Sequence, residues 1–155
     1  LVGSEMCIRD RYRPDGKPMP NGLIIRKLDA DDIQEAAPMY PGFDNPDYIV
    51  DRIEAGAVYG AFFGDNTAND TINTLAGIIG IHEEGSIGML YVKLQYRHQK
   101  LATALETYAF NRALENGWIP YGQIIVGNDA SMRLQESMGL HFSKSPVYWM
   151  TKNNA

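Results

Sequence analysis

The chain has 155 residues, of which 45 % are hydrophobic and 21 % charged, and this suits one globular domain with a core rather than two domains. Its formal net charge of −5 argues against a surface for nucleic acid or an anionic membrane, because both need clustered Lys and Arg. No apolar run approaches the roughly 18 to 20 residues that span a bilayer, and no signal-peptide pattern opens the chain, so we expect a cytoplasmic protein.

The first eleven residues stand apart from the rest of the sequence. Residues 1–11 follow neither a helical nor a strand period, and they resemble the translated sequencing-adapter read-through at the ends of some metagenomic gene models. We therefore expect this segment to be a non-native artefact, followed by a loose arm over residues 12–22 and a single domain over residues 23–155. The one cysteine, Cys7, lies in this segment, which leaves disulfide and thiolate sites without a candidate.

The first half of the domain predicts short strands and helices. Asp29 is a good helix N-cap and Pro38 ends that helix, whereas Asn45 opens a second helix that Gly56 stops. A polar loop over residues 65–70 predicts a hairpin between two strands. The predicted strands of this half cover residues 23–27, 58–63, a segment that ends near residue 81, and 87–92.

The second half begins with a long helix over residues 100–116. Leu101, Leu105 and Ala109 recur there at helical spacing, and Gly117 ends the helix. A strand over residues 121–126, a helix over 128–138 and a final strand over 147–151 follow. The whole pattern predicts an α/β fold, with a mixed sheet that carries helices on both faces.

Two segments carry the functional signal. Residues 92–105 pass from an apolar strand through a polar turn into a helix, an arrangement that aims backbone N–H groups at phosphates. Residues 117–121, Gly-Trp-Ile-Pro-Tyr, lead into a strand, and a helix then opens at Asn128 and closes at Gly139. In this order the segments resemble the two halves of the acetyl-CoA site in GCN5-related N-acetyltransferases (GNAT), and more closely the branch that includes the FR47-like and glycine N-acyltransferase proteins.

The resemblance implies a mostly antiparallel GNAT-type sheet of about six or seven strands with one splayed parallel pair. It also implies acetyl-CoA as the acyl donor and a small amine as the acceptor, in a monomer or homodimer. We expect no metal, because His98 and His141 lack the spaced partners of a metal site.

The resemblance assigns the coenzyme to the turn and to the strand before it. The pyrophosphate would accept hydrogen bonds from the helix N-terminus beside the charge of Arg97, and the pantetheine arm would pair with the strand edge. A helix cap alone would also explain Asn128. The expected coenzyme-binding residues are Leu90, Tyr91, Val92, Arg97, His98, Gln99, Lys100, Leu101, Ala102, Thr103, Asn128 and Ser131.

Three positions depart from the family pattern. The family turn reads Arg-x-x-Gly-x-Gly/Ala, and Lys100 replaces its first glycine. Gln135 occupies the place of a Tyr general acid and resembles an ordinary helix residue, while Ser86 occupies the place of a glutamate base. We expect Glu84 to accept the proton with help from Ser86; the alternatives are a merely solvated turn at residues 82–84 and a Ser86 that only hydrogen-bonds the strand end.

Two classes of function fit these residues. The first is an acyl-CoA-dependent N-acyltransferase that moves an acetyl or short acyl group directly to a small amine or amino acid in a ternary complex. The second is a sensor or scaffold domain of the same fold that binds acyl-CoA with little or no turnover. The changed residues at the Tyr and Glu positions keep the second class open.

Overall fold

The computed structural model describes residues 2–8, 20–41, 45, 47–64 and 73–149. The predicted loop over residues 65–70, most of the arm over 12–22 and residues 150–155 lie outside this part. The strands are β1 Val2–Ile8, β2 Leu23–Lys27, β3 Val58–Gly64, β4 Asn73–Ile81, β5 Ile87–Val92, β6 Tyr121–Ile125, β7 His141–Phe142 and β8 Val147–Trp149. The helices are α1 Ile33–Ala36, α2 Tyr48–Glu54, α3 Leu101–Glu115 and α4 Asp129–Ser137, with short 3₁₀ turns at Ala30–Asp32, Ala37–Met39 and Leu94–Tyr96.

The strands form one mixed, mostly antiparallel sheet in the order β2-β3-β4-β5-β6-β1-β7, with β8 also paired to β1. The pair β5 and β6 is parallel, and its recorded register is the single bridge between Ile87 and Gly122. The two strands therefore separate beyond that bridge, toward their C-terminal ends. This confirms the predicted fold class and the predicted splayed pair.

Helices cover both faces of the sheet and bury two apolar clusters. Leu105 and Phe110 of α3 lie with Ile79 in one cluster, whereas Ile53 of α2 lies with Ile78 in the other. Because Ile78 and Ile79 are neighbours on β4, their side chains point to opposite faces of the sheet. The core thus packs α3 against one face of the sheet and α2 against the other, and β5 contributes residues to both clusters.

The N-terminal segment differs from its prediction. Val2–Ile8 forms β1, which pairs antiparallel with β6, β7 and β8, although the sequence has no strand period. Backbone pairing explains this difference, because the open side of a strand offers N–H and C=O groups to any extended segment. The helix predicted from Asp29 is also broken into α1 between two 3₁₀ turns, with Asp29 as the cap of the first.

Candidate functional site

The turn between β5 and α3 has the backbone shape of an anion-binding loop. His98 and Lys100 adopt left-handed conformations, with φ of 61° and 63°. Helix α3 then begins at Leu101 without a side-chain cap, so the N–H groups of its first turn are not used by a capping side chain. Such N–H groups, at the positive end of a helix dipole, favour a phosphate.

The backbone conformation at Lys100 explains why the family that the sequence resembles has glycine at this position. A left-handed backbone is easy for glycine but strained for a residue with a Cβ atom, and Lys100 has φ of 63° and ψ of 16°. The chain therefore keeps the shape of the turn without its usual residue. The lysine strains the backbone of the turn, but its side chain adds a positive charge there.

Arg97 ties the turn to the end of β5. Its Nε donates to the Val92 carbonyl oxygen across 3.0 Å, and its guanidinium carbon lies 6.0 Å from the centroid of the Tyr91 ring. A pocket of about 190 Å³ opens beside it. The lining residues are Val92, Tyr96, Arg97, His98, Lys100, Leu101 and Ala102. The structure thus brings five of the predicted turn and helix residues together with Val92, while Gln99 and Thr103 do not line the pocket.

The strand beside this turn is irregular where a coenzyme arm would lie. Met89 has φ of 54°, and the pairing of β4 with β5 shifts register between Ile78 and Gly80. Leu90 and Tyr91 follow this irregularity and are half-buried. Because β6 pairs with β5 only at Ile87, residues 90–92 lie on the open side of the splay.

Asn128 and Ser131 belong to the start of α4. The Asn128 side chain accepts a hydrogen bond from the Ser131 backbone N–H across 3.2 Å, so it is the helix N-cap. Neither residue lines the pocket at the turn. Their predicted contact with the coenzyme stays a prediction.

The two predicted catalytic residues are in direct contact. Ser86 Oγ donates to Glu84 Oε1 across 2.5 Å, and the Tyr121 hydroxyl donates to the Glu84 backbone oxygen across 2.5 Å. Ser86 is only 1 % exposed, whereas the Glu84 side chain lies at the surface. The turn between β4 and β5 is thus fixed to the start of β6, with a carboxylate open to solvent.

The sequence alone placed His82 with Glu83 and Glu84 in a turn that is either solvated or a substrate-side catalytic or amine-binding cluster, and it did not reveal the partner of His82. The Tyr48 hydroxyl of α2 lies 3.0 Å from His82 Nδ1, and the two rings stack with centroids 5.8 Å apart. Burial lowers the pKa of His82 below its usual value. Tyr48 lies 34 positions before His82, so no local pattern in the sequence could have joined them.

A second pair was also missed, in the core between α3 and α4. Gln135 Nε2 donates to Glu106 Oε1 across 2.5 Å, and both side chains are buried. Burial raises the pKa of Glu106 to about 8, against a smaller opposing effect of the hydrogen bond from Gln135. Gln135, at the position where the family has a Tyr, is therefore not an ordinary helix residue, because its side chain donates a hydrogen bond to a buried acid.

Within the ranges that the structure describes, no helix has both the length and the apolar character to cross a membrane. The same residues contain no group of three or more His, Cys, Asp or Glu side chains arranged to hold a metal ion.

Solved structures share this fold at low sequence identity. A Drosophila protein superposes with a TM-score of 0.76 at 17 % identity, over 92 % of this chain and 48 % of that one. An acetyltransferase of the GNAT family from Colwellia psychrerythraea gives 0.70 at 12 % identity, over 92 % and 53 %. A GCN5-related N-acetyltransferase from Sphaerobacter thermophilus gives 0.67 at 16 %, over 92 % and 48 %. The chain thus spans about half the length of these solved chains.

No curated protein matches the sequence. A match to a protein family, in contrast, covers most of the chain and contains the turn, the splayed strands and α4. Residues 25–140 match the family described as the acetyltransferase (GNAT) family, and the chain belongs to that family.

Proposed function

We propose that the domain over residues 23–155 transfers an acetyl or short acyl group from acyl-CoA to the amine of a small molecule or amino acid. One observation carries the proposal: the family match contains a turn shaped for phosphate beside a strand that is open to a second partner. The branch of FR47-like and glycine N-acyltransferase proteins is the part of the family that we favour. The transfer is direct, within a ternary complex, and the enzyme is a monomer or a homodimer.

The donor is held by two kinds of backbone contact. The pyrophosphate accepts from the amides at the start of α3, and the charges of Arg97 and Lys100 face it. The amide groups of the pantetheine arm pair with residues 90–92 as an added strand would. The left-handed residues of the turn and the single β5–β6 bridge support these roles.

The acceptor side lies at the turn between β4 and β5. An amine attacks a thioester only as the free base, and a free ammonium has a pKa near 10, so a group of the enzyme or water must remove a proton. We assign the removal of that proton to this turn, with Glu84, whose carboxylate is held by Ser86, as its acidic group. We assign the stabilisation of the tetrahedral oxyanion to a backbone N–H of β5 near Met89, where the strand is irregular.

The proposal is tested by the release of free CoA thiol from acetyl-CoA. The purified chain is assayed with a panel of small amines and amino acids, with a no-amine control for hydrolysis, and the product is identified by mass spectrometry. Amine-dependent thiol release together with the N-acetyl product is expected. Tight binding of acetyl-CoA without release for any amine would instead identify the sensor or scaffold domain.

A further inference from the structure

His82 stands at the end of β4 with its two ring nitrogens in different settings. Nδ1 lies 3.0 Å from the Tyr48 hydroxyl, and the same hydroxyl oxygen accepts the Glu83 backbone N–H across 3.4 Å. On the other side of the ring, Nε2 would lie 2.6 Å from a Cβ atom built on Gly88. The ring is therefore held by α2 and presents Nε2 to the backbone of β5.

His82 Nε2 faces the part of β5 at which β5 and β6 begin to separate. Gly88 directly precedes Met89, the left-handed residue of the strand, and directly follows Ile87, which forms the single bridge to β6. A thioester carried by a coenzyme arm along residues 90–92 would have to end near this point. His82 Nε2 is thus the imidazole nitrogen on the acceptor side of the proposed reaction centre, one residue from where the strands separate.

We propose that His82 Nε2 takes the proton directly from the acceptor ammonium, with Tyr48 as its positioning residue and Glu84 as the group that stabilises the resulting imidazolium. The inference rests on the proposed transfer reaction and refines its proton step. The tautomer with hydrogen on Nδ1 donates to the Tyr48 oxygen and leaves the lone pair of Nε2 free for the proton. The imidazolium then gives the proton to water, because the His82 ring is only partly buried.

The surroundings keep the imidazole neutral before the reaction. Burial lowers the pKa of His82 below 6.5; the negative charge of Glu84 opposes this shift and the positive charge of Arg52 adds to it. Burial also raises the pKa of Tyr40 and of Tyr48, so both hydroxyls stay protonated at neutral pH. The titratable or charged groups around His82 are Tyr40, Tyr48 and Arg52 on one side and Glu83 and Glu84 on the turn.

The steps balance in atoms and charge. His82 Nε2 removes one proton from R–NH₃⁺, and the free amine attacks the thioester carbon to form the C–N bond. The tetrahedral intermediate then breaks its C–S bond and expels the thiolate, which takes the surplus proton from the new nitrogen. The products are the N-acyl amine and CoA thiol, and the proton on His82 leaves to water.

The test compares pH profiles of kcat between pH 5 and 8, with acetyl-CoA and the most active amine of the panel. His82→Gln should lower kcat by about 10²- to 10⁴-fold and remove the acidic limb of the profile. Glu84→Gln should lower kcat less and keep the limb, moved to lower pH because a negative charge near the imidazole is lost. His141→Gln, at an exposed histidine of β7, is the matched control and should leave the profile unchanged.

Two further measurements separate a catalytic loss from a folding loss. Calorimetric affinity for acetyl-CoA and the melting temperature are measured for each variant, and Tyr48→Phe serves as a milder change that keeps the ring stacking. We expect Tyr48→Phe to shift the acidic limb while acetyl-CoA affinity is kept. NMR titration of the His82 imidazole in the parent should give a pKa below 6.5.

The possible results distinguish this inference from the proposed function. If Glu84→Gln removes the limb and His82→Gln keeps it, Glu84 is the direct base and the inference is wrong while the transfer reaction stands. If the parent transfers no acyl group to any amine, the proposed function itself fails.

Discussion

Gln135 of α4 donates to Glu106 of α3 through a 2.5 Å hydrogen bond that crosses the buried space between the two helices. One oxygen of each side chain, Glu106 Oε2 and Gln135 Oε1, has no hydrogen-bond partner within the described part of the chain. A neutral carboxyl group supplies a donor at Oε2, which a carboxylate lacks. A protonated Glu106 at neutral pH is therefore consistent with the unpartnered oxygens and follows from the raised pKa of about 8.

The first prediction concerns the pH dependence of stability. Because the folded pKa of Glu106 is raised from 4.5 to about 8, its stabilising effect is complete below pH 4.5 and is lost as the pH rises through about 8. The loss amounts to at most about 1.4 kcal/mol per pH unit. Glu106→Gln should remove this component, so urea titrations at pH 5 and pH 8 should differ less in the variant than in the parent. Equal differences would show that Glu106 is ionised in the folded protein.

The second prediction concerns the strained lysine of the turn. Lys100→Gly should raise the free energy of unfolding by about 1 kcal/mol, because glycine adopts a left-handed backbone without strain. Lys100→Ala keeps the strain and removes only the charge, so it is the matched variant. Thermal melts should rank Lys100→Gly above the parent, and calorimetry should show weaker acetyl-CoA binding for Lys100→Ala. A less stable glycine variant would contradict the strain argument.

The third prediction concerns the charge at the turn. Arg97→Glu should weaken acetyl-CoA binding by roughly ten- to a hundredfold, since a hydrogen bond to a charged group is worth about 1.5 to 3 kcal/mol. The melting temperature should change little, because the side chain is exposed and loses one hydrogen bond to the Val92 carbonyl and a distant contact with the Tyr91 ring. Lys144→Glu makes the same charge change at an exposed position away from the turn and serves as control. Equal calorimetric affinity for acetyl-CoA in Arg97→Glu and the parent would show that this turn does not bind the pyrophosphate.

The fourth prediction separates the two roles of Asn128. Asn128→Ala should destabilise the protein by about 1 kcal/mol through loss of the N-cap. Asn128→Asp keeps a capping oxygen for the Ser131 N–H but loses the amide donor. Stability close to that of the parent with reduced acetyl-CoA affinity in Asn128→Asp is therefore the expected result. An unchanged affinity would limit Asn128 to the cap.

The fifth prediction concerns the first eleven residues, which we propose to be non-native. A chain without residues 1–11 should keep acetyl-CoA binding and acyl transfer, because the family match begins only at residue 25. Circular dichroism and calorimetry test this directly. If the shortened chain does not fold, then β1, which pairs with β6, is essential for the stability of the sheet.

The strand and helix pattern was predictable because it depends on local spacing. Leu101, Leu105 and Ala109 mark the buried side of α3, and the strand β5 has the predicted bounds of residues 87–92. The left-handed turn at Lys100 was also within reach, since a family glycine indicates such a backbone. These features are carried by residues that are close together in the chain.

The site pairs that escaped prediction join residues far apart in the sequence. Tyr48 and His82 are 34 positions apart in the sequence, and Glu106 and Gln135 are 29 positions apart. No local sequence pattern predicts contacts between residues at such separations. β1 escaped for another reason, because its pairing uses backbone groups that every sequence carries. The side-chain pattern therefore predicted the turn before α3 better than it predicted the contacts around His82.

The single bridge between Ile87 and Gly122 leaves the rest of β5 without hydrogen bonds to β6. A coenzyme arm that completes the pairing of β5 binds the folded chain and not the unfolded one. At a free concentration one hundred times its Kd, such a ligand adds about 2.7 kcal/mol to the free energy of unfolding. The folded fraction of a destabilised variant would then follow the supply of acyl-CoA, and the cellular abundance of the protein would report that supply.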